Sequence, residues 1–514
     1  MMYRYYRKAT INDIDQIMEA VEDSRELLKA QGNGQWQGNY PNKDDFVNDI
    51  NNNQLFVVVD KNNASLIVGV CAITHYEEDY QRPFEGKWLT DLPYLVMHRV
   101  ALKKEYRGQG YGKKLFDVFI ERAKVEGYRS LRIDTHERND IMNHLIASYG
   151  FIRCGKAILT PNKERILYER VLRDEELLRL ELPSEKYKDE YADTNEEERL
   201  FSQDTEHIFE DNDGYLEKFE RYRLGINLKP NYVPQTTLWL VDNQHFYGEI
   251  HLRHRLNDKL LFCGGTIGYG IRWSKRGLGF GKLMLKLGLD YCKKVLDIRK
   301  ALITCNVENK ASEGVMLANG ATFGEIVHDL EDENTLLKKY WVNIDPHIIE
   351  CDRFYLREIT EDDYQSISGI YQDAENMVYF GAPYDDRKMR RLIDWTLENY
   401  KKYGFGFWAI IDKTSGEYLG DCGLSMQKID GEWLPEIGYH INKKHHNKGY
   451  ATEAARLVKE YIFKNYSFDA LYGYTNKENI PSIKVMINNG MSFFKEYEQD
   501  NEHLVVYRVN KPNN

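Results

Sequence analysis

The sequence predicts an α/β protein built from three copies of one domain. Three segments, Tyr94–Phe151, Thr266–Ala321 and Glu436–Met491, share the same order of features. In each segment a β-rich run ends in a basic, glycine-containing turn, and an amphipathic helix, a short strand and a second helix follow. Because the same skeleton recurs three times at a domain-sized interval, it defines the organisation of the whole chain.

The interval between the copies is nearly constant. The matching positions are the turn glycines Gly110, Gly279 and Gly449, the asparagines Asn139, Asn309 and Asn479, and the closing glycines Gly150, Gly320 and Gly490. Successive members of each set are 169 or 170 residues apart. From the points where the skeleton stops, we predict domains at 1–172, 173–345 and 346–514. The linkers between them are short, which favours domains that pack against one another.

Local patterns justify the individual elements. After the first turn, Leu115, Phe119 and Ala123 lie at helical spacing, which gives that helix one apolar face for the sheet. The short strands that follow in the three copies read LRIDT, ALITC and ALYGY, and each second helix begins at the asparagine. In the third copy Arg353–Ile359 alternates as a strand. The run TEDD from Thr360 then predicts a helix start, since its side-chain oxygens can meet free backbone N–H groups.

Composition excludes several classes of protein. A chain of 514 residues suggests about three domains, and 42% hydrophobic and 29% charged residues are ordinary values for a globular protein. No apolar run approaches the roughly 18 to 20 residues needed to cross a bilayer, so we expect no membrane association and a cytoplasmic location. The seven cysteines are widely spread and never form a CxxC pair. They predict buried thiols rather than disulfides or a metal site.

The negative charge is confined to one segment. The net charge is -11, and Asp174–Glu220 alone carries eighteen acidic against five basic residues. A basic stripe of the kind that neutralises phosphates along a duplex is absent from the sequence, which argues against nucleic-acid binding. Two interpretations of the acidic segment stay open: a solvated helical face, or a surface that attracts a cationic substrate or partner.

The glycine turns have the composition of an anion site. RGQGYG at Arg107–Gly112 and RGLGFG at Arg276–Gly281 each lie between a strand and a helix. Glycine permits positive φ, so successive N–H groups can converge on an anion at the positive end of the following helix. The spacing matches neither GxGxxG nor GxxxxGK[ST]. A pyrophosphate fits such a turn, and the alternative for any single copy is a purely structural turn.

A basic RxxGxG turn between strand and helix, followed about 32 residues later by an asparagine, resembles the GNAT superfamily of N-acetyltransferases. The resemblance implies three tandem α/β (α+β) domains, each a mixed, mostly antiparallel twisted sheet flanked by helices. It also implies acetyl-CoA (coenzyme A) as cofactor, with the turn holding its pyrophosphate and the asparagine contacting its pantetheine arm. The third copy, with RFYLREIT, EIGYHI and GYATEA, resembles the ribosomal-protein N-acetyltransferase branch.

Carried onto this sequence, the resemblance implies a coenzyme site in each domain. The residues are Val100, Arg107, Gly108, Gln109, Gly110, Tyr111, Gly112 and Asn139; Ile271, Arg276, Gly277, Leu278, Gly279, Phe280, Gly281, Asn309 and Ser312; and Ile441, His446, Asn447, Lys448, Gly449, Tyr450, Ala451 and Asn479. The third turn departs from the pattern with His446 in the arginine position and Ala451 in place of the last glycine.

Acetyl transfer to an amine needs a base, because an ammonium group has no lone pair. The position ten before each turn holds a carboxylate only in the third copy, where Glu436 is the base candidate; the alternative is a strand-edge ion pair. Ser482 matches a serine that lies near the sulfur in the family, or is an ordinary first-turn serine. His98 is a base candidate in the first copy if a β-bulge turns it toward the cleft.

The general acid is missing from its usual place. Many relatives carry a tyrosine seven residues after the asparagine, whereas Ile146, Met316 and Met486 occupy that position here. The sequence therefore predicts an N-acetyltransferase that transfers acetyl directly to a small-molecule or peptide amine in a ternary complex. Two alternatives stay open: a different acyl donor, and a coenzyme-binding sensor or scaffold with degenerate domains. The oligomeric state and the catalytic copy are not determined by the sequence.

Overall fold

Three open sheets, one in each predicted domain range, organise the chain. The structure is a computed structural model, and it describes residues 6–81, 83–159, 163–201, 214–379, 382–499 and 502–512. The strands of each sheet lie within one of the ranges 1–172, 173–345 and 346–514. Helices flank each sheet, so the predicted α/β fold class is confirmed.

The first sheet has eight strands in the order β1-β2-β3-β5-β6-β8-β7-β4. Its elements are β1 (Tyr6–Lys8), α1 (Ile14–Ala30), α2 (Lys43–Asn51), β2 (Leu55–Asp60), β3 (Asn63–Thr74), β4 (Glu85–Gly86), β5 (Tyr94–Leu102), α3 (Tyr111–Glu126), β6 (Ser130–Thr135), α4 (Asp140–Ser148), β7 (Ile152–Leu159) and β8 (Lys163–Val171). Strands β5 and β6 pair in parallel, and the neighbouring pairs are antiparallel. The predicted apolar face of α3 is confirmed, since Leu115, Phe119 and Ala123 are fully buried.

The second sheet has seven strands in the order β14-β15-β13-β12-β11-β10-β9. Its elements are β9 (Arg179–Glu181), α5 (Lys188–Phe201), α6 (Tyr215–Leu224), β10 (Gln235–Val241), β11 (Phe246–Arg253), β12 (Ile267–Ile271), α7 (Phe280–Tyr291), β13 (Lys300–Asn306), α8 (Lys310–Leu317), β14 (Thr322–His328) and β15 (Leu336–Asn343). Strands β12 and β13 form the parallel pair of this sheet.

The third sheet repeats the first, with eight strands in the order β16-β17-β18-β19-β20-β21-β23-β22. Its elements are β16 (Ile349–Glu350), β17 (Phe354–Glu358), α9 (Tyr364–Tyr371), α10 (Asp386–Tyr403), β18 (Phe407–Asp412), β19 (Tyr418–Ile429), β20 (Glu432–Ile441), α11 (Tyr450–Asn465), β21 (Ala470–Asn476), α12 (Ile480–Asn488), β22 (Ser492–Gln499) and β23 (Glu502–Asn510). The strand predicted at Arg353–Ile359 is β17, and Thr360 caps the turn that leads into α9.

By its packing the chain divides into two compact units. Met1–Tyr215, Leu238–Glu249 and Gly270–Met284 form one unit, and Leu216–Thr237, Ile250–Tyr269 and Leu285–Asn514 form the other. The division passes through the second predicted domain. The three domain ranges, which follow the sequence repeat, therefore stay a prediction. The two compact units follow contacts between residues and do not coincide with those ranges.

In all three sheets the parallel pair of strands is short, and in the first and third sheets this positions the site. Pairing of β5 with β6 extends from Tyr94 to Val96, and pairing of β20 with β21 is recorded at Glu436 opposite Tyr472. Strands β5 and β20 each continue for several residues beyond this parallel pairing and lead to a glycine turn. The cleft between the two diverging strands is the place where an extended ligand could add its own hydrogen bonds.

Candidate active site

The three glycine turns share one backbone conformation. Positive φ values occur at the second and fourth positions of each turn: 78° and 87° at Gly108 and Gly110, 73° and 101° at Gly277 and Gly279, and 58° and 82° at Asn447 and Gly449. A helix begins at the next residue in all three copies. Asparagine is one of the few residues that tolerate positive φ. The third turn therefore keeps the shape of the others although Asn447 replaces its first glycine.

The first side chain of each turn binds the end of the preceding strand. Arg107 Nη2 donates to the Leu102 carbonyl at 3.3 Å, Arg276 Nε to the Ile271 carbonyl at 2.9 Å, and His446 Nε2 to the Ile441 carbonyl at 2.8 Å. In every copy the acceptor is five residues upstream. These three side chains, predicted to belong to the coenzyme sites, thus hold the turn in the structure. A histidine N–H can make this contact as well as a guanidinium can.

The first and third turns are open to an anion. Residues Gly108–Gly110 and His446–Gly449 are exposed, and a Cβ placed at Gly108 or Gly110 would meet no atom within 4 Å. Consecutive N–H groups in such a nest, together with the first N–H groups of α3 or α11, suit a pyrophosphate. Their assignment to acetyl-CoA stays a prediction that this geometry fits.

A residue that the sequence did not reveal lies beside the third turn. The Arg353 guanidinium stacks over the Tyr450 ring at 4.0 Å, donates to the Lys448 carbonyl at 3.0 Å and pairs with Glu453 at 3.1 Å. Arg353 precedes β17 and is about a hundred residues away in the chain, so no local pattern could have indicated this contact.

The second turn is covered at Leu278 and Gly279, in contrast to the other two, while Gly277 is exposed. Leu278 is 2% exposed, and its carbonyl accepts a hydrogen bond of 3.1 Å from Arg122 Nη1 on α3. A Cβ at Gly279 would lie 2.8 Å from Val125 Cγ1 of the same helix. Arg276 is hydrogen-bonded to Glu198 of α5. This turn is therefore less exposed than the other two.

The three asparagines cap the helices that follow them. Their side-chain oxygens accept from the backbone N–H three residues on, at 3.3 Å for Asn139 and Met142, 2.9 Å for Asn309 and Ser312, and 3.2 Å for Asn479 and Ser482. This contact satisfies one of the free donors of each helix start. The predicted contact with a pantetheine arm stays a prediction.

Glu436 is a buried carboxylate at the mouth of the third cleft. It is 8% exposed and lies at the recorded pairing position between β20 and β21. Ser425, directly opposite on β19, donates a hydrogen bond of 3.1 Å to Glu436 Oε2. Burial raises the pKa of Glu436 to about 7, although the Ser425 hydroxyl acts in the opposite direction. A group with this pKa can accept a proton at neutral pH.

A polar cluster continues from Glu436 along the same face of β20. His440 Nδ1 lies 2.6 Å from the Tyr371 hydroxyl and 3.0 Å from Asp421 Oδ1. Between Glu436 and His440, Gly438 leaves room for the Phe407 ring, which a Cβ would approach to 2.6 Å. The alternation of Glu436, Gly438 and His440 in EIGYHI indicates this face in the sequence, where only Glu436 is predicted as a site residue.

Ser482 has a tyrosine partner on the neighbouring strand. Its Oγ lies 3.0 Å from the Tyr439 hydroxyl, which is also 3.0 Å from the Ser482 carbonyl. The second domain repeats the arrangement with Tyr269 and Ser312, again at 3.0 Å between the hydroxyls. Aligning the repeats would have revealed both pairs, because each tyrosine is ten residues before its turn glycine. Burial raises the pKa of both tyrosines, that of Tyr269 to about 12.

His98 lies beside a β-bulge in the first domain. The register between β3 and β5 shifts next to His98, and Arg99 adopts a φ of 51°. The bulge adds one residue, so Val96 rather than Met97 pairs with β6 in the place that Glu436 occupies in the third sheet. His98 Nε2 is 3.2 Å from Glu77, whose pKa it lowers by hydrogen bonding. Asp134 is 3.8 Å away on β6.

The three positions at which many relatives carry a tyrosine are buried in this chain. Ile146, Met316 and Met486 are at most 2% exposed. The nearby Tyr149 packs at 4.9 Å on Phe116, and its hydroxyl bonds the Lys113 carbonyl and Asp117, each at 2.8 Å. None of these four side chains is placed to donate a proton in a cleft.

Three further properties concern the whole described chain. All seven cysteines are free thiols, and six of them are buried. No helix among the described residues combines the length and apolar character needed to cross a bilayer. In the same residues, no three His, Cys, Asp or Glu side chains are grouped so that they could hold a metal ion.

Mixed sheets with one short parallel pair, each followed by a glycine turn at a helix start, are the arrangement that the resemblance to acetyltransferase domains predicts. Comparison with protein families agrees: the acetyltransferase (GNAT) domain matches residues 178–322 and 353–492, and the acetyltransferase (GNAT) family matches residues 21–151. The chain belongs to the GNAT acetyltransferases. It is an acetyltransferase of tandem domains that uses acetyl-CoA.

Individual relatives cover about one domain each. "Uncharacterized protein YkkB" of Bacillus subtilis (strain 168) is 34% identical over 157 residues, which are 30% of this chain and 91% of that protein. "Uncharacterized N-acetyltransferase YnaD" of the same organism is 43% identical over 153 residues, 29% of this chain and 86% of that protein. A crystal structure of a GNAT-family acetyltransferase from Streptococcus agalactiae 2603 shares 32% identity, with a TM-score of 0.29, over 33% of this chain and 95% of that chain.

Proposed function

We propose that the third domain transfers an acetyl group from acetyl-CoA directly to a primary amine of a small molecule or peptide in a ternary complex. The observation that supports this most is Glu436, a buried carboxylate at the point where β20 and β21 diverge, with a pKa of about 7. Catalytic bases are commonly tuned toward the operating pH by burial, and Glu436 has this property.

The chemistry follows from the protonation state of the acceptor. A primary amine of pKa about 10 is almost fully an ammonium at neutral pH and must lose a proton to attack. Glu436 takes that proton, directly or through one water, while Ser425 holds its Oε2 in place. Positioned bases of this kind typically contribute about 10²- to 10⁴-fold to rate. Bound acetyl-CoA supplies the acetyl group, and Ser482 lies at the start of α12 as the candidate group near its sulfur.

The turns at Arg107–Gly112 and His446–Ala451 are the coenzyme sites of this proposal. The first domain would then hold a second molecule of acetyl-CoA, with His98 as its base candidate between Glu77 and Asp134. Acidic α5 gives no support for a cationic acceptor, because Glu190 and Glu197 face Arg272 of their own domain. The acceptor is therefore proposed only as a primary amine.

Thiol release from acetyl-CoA with a panel of polyamines, amino acids, aminoglycosides and peptides tests the proposal. We expect one class of amine to stimulate release, and Glu436→Gln to lower kcat at least about 100-fold while acetyl-CoA still binds. Glu432→Gln is the matched control, since Glu432 is an exposed glutamate on the same strand. Coenzyme binding with no thiol release for any amine would instead support a coenzyme-binding sensor.

A further inference from the structure

We propose that the second glycine turn, Arg276–Gly281, binds no coenzyme and has become a docking loop that this chain's own helices α3 and α5 occupy. The family's pattern of residues is present in this turn, but the surroundings of the turn differ from those of the other two copies. Two independent sets of contacts support the proposal, one from each helix.

Helix α5 brings buried carboxylates to the turn. Glu197 and Glu198 are 4% and 3% exposed. Glu197 accepts from Arg272 Nε at 2.7 Å and from the Ser274 backbone N–H at 3.1 Å, and Glu198 accepts from Arg276. Two cations, Arg272 and Arg276, and the backbone N–H of Ser274 are thus already paired with carboxylates of α5. A pyrophosphate entering here would be an anion placed against two buried carboxylates, which disfavours its binding.

Helix α3 covers the other side of the turn. Arg122 donates to the Leu278 carbonyl, Gly279 packs against Val125, and Lys275 is hydrogen-bonded to Glu121. Leu278 is buried, whereas the residues at its position in the other turns, Gln109 and Lys448, are exposed. An apolar residue between the two glycines therefore distinguishes the docking loop from the two open turns.

The docking loop holds the helix that begins at the first coenzyme turn. Helix α3 starts at Tyr111, immediately after Gly110, and its last turns carry the residues that contact the docking loop. The N-terminus of α3 thus belongs to an open coenzyme turn, and its C-terminal half belongs to an interface. We infer that the second domain supports the first one and leaves coenzyme binding to the first and third turns.

The decisive experiment blocks the two open turns by substitution and measures whether the chain still binds acetyl-CoA. Gly110→Asp and Gly449→Asp each place a carboxylate in an anion nest. In titration calorimetry with acetyl-CoA, we expect each single variant to keep binding at the other open turn and the double variant to bind none. Gly127→Asp with Gly490→Asp is the matched control. Both positions have a φ of 78° and open space for a Cβ, and both lie outside the turns, so we expect unchanged binding.

One molecule of acetyl-CoA still bound by the double variant, and lost again when Arg276→Glu is added, would overturn the proposal. Hydrogen exchange of the unmodified chain gives a second test that does not depend on any variant folding. On addition of acetyl-CoA, residues 107–112 and 446–451 should gain protection, and residues 276–281 should be protected already and unchanged. A gain at 276–281 equal to that of the open turns would also overturn it.

Discussion

The Ser425 hydroxyl donates a 3.1 Å hydrogen bond to Glu436 Oε2 across the β19–β20 pair, with both side chains buried. The bond stabilises the ionised form of a carboxylate that burial would otherwise keep protonated. Proton abstraction in the proposed reaction therefore depends on a balance between desolvation, which raises the pKa of Glu436, and the Ser425 hydroxyl and His440, which lower it.

Removal of the hydroxyl should move the activity profile toward higher pH. In Ser425→Ala the pKa of Glu436 should increase further, because only the charge of His440 then opposes desolvation. A hydrogen bond to a charged group is worth roughly 1.5 to 3 kcal/mol, so we expect the acid limb of kcat/KM to shift upward by about 1 to 2 pH units. Ser492→Ala, at an exposed serine on β22, is the control. An acid limb that stays in place would show that Glu436 is not the titrating base.

Glu436 should also cost the protein stability above neutral pH. The pKa of about 7 in the folded protein lies above the ordinary value of 4.5. Between these values the folded state retains a proton that the unfolded chain loses. Stability therefore falls as pH rises through this window, by about 3 kcal/mol in total. Well below pH 4.5 the carboxyl is protonated in both states and the penalty is absent.

Glu436→Gln removes this penalty. We expect the variant to melt several degrees higher than the wild type at pH 8 and at the same temperature near pH 4.5, measured by calorimetry on the full chain. Glu432→Gln should show no such pH-dependent difference, since that glutamate is exposed. A variant that is less stable than the wild type at pH 8 would mean that the ionised carboxylate is held by a favourable interaction.

The sequence could predict whatever depends on local pattern. The turns, the helices that follow them and the asparagine caps recur at a fixed interval, and the structure contains each of them. The closure of the second turn could not be predicted, because Arg122 and Glu198 reach it from helices about 80 or more residues away in the chain. A bulge beside His98 could be named only as a condition. The sequence does not show whether β5 contains the one extra residue that changes which side chain opposes β6.

The hydrogen bond between His446 and the Ile441 carbonyl, here called the anchor contact of the third turn, can be tested with a matched pair of variants. His446→Ala removes the hydrogen bond to the Ile441 carbonyl, so the turn should lose its hold on β20 and bind acetyl-CoA about 5- to 10-fold more weakly, for the loss of about 1 kcal/mol. His446→Arg should keep the affinity, because Arg107 and Arg276 make the same contact in their turns. Calorimetry in a Gly110→Asp background isolates the third turn. Equal affinity of the alanine and arginine variants would show that the anchor does not shape the site.

Ser482 and Tyr439 should differ in their contribution to turnover. If the Ser482 hydroxyl acts near the leaving sulfur, Ser482→Ala should lower kcat by about 10- to 100-fold with little change in acetyl-CoA affinity. Tyr439→Phe removes the partner of that hydroxyl and the bond to the Ser482 carbonyl, both at 3.0 Å, so it should lower kcat less. Asn488→Ala, at an exposed position near the end of α12, controls for changes in the helix. If kcat is unchanged in Ser482→Ala while the melting temperature falls, the pair serves the packing of α12 on β20 and takes no part in proton transfer.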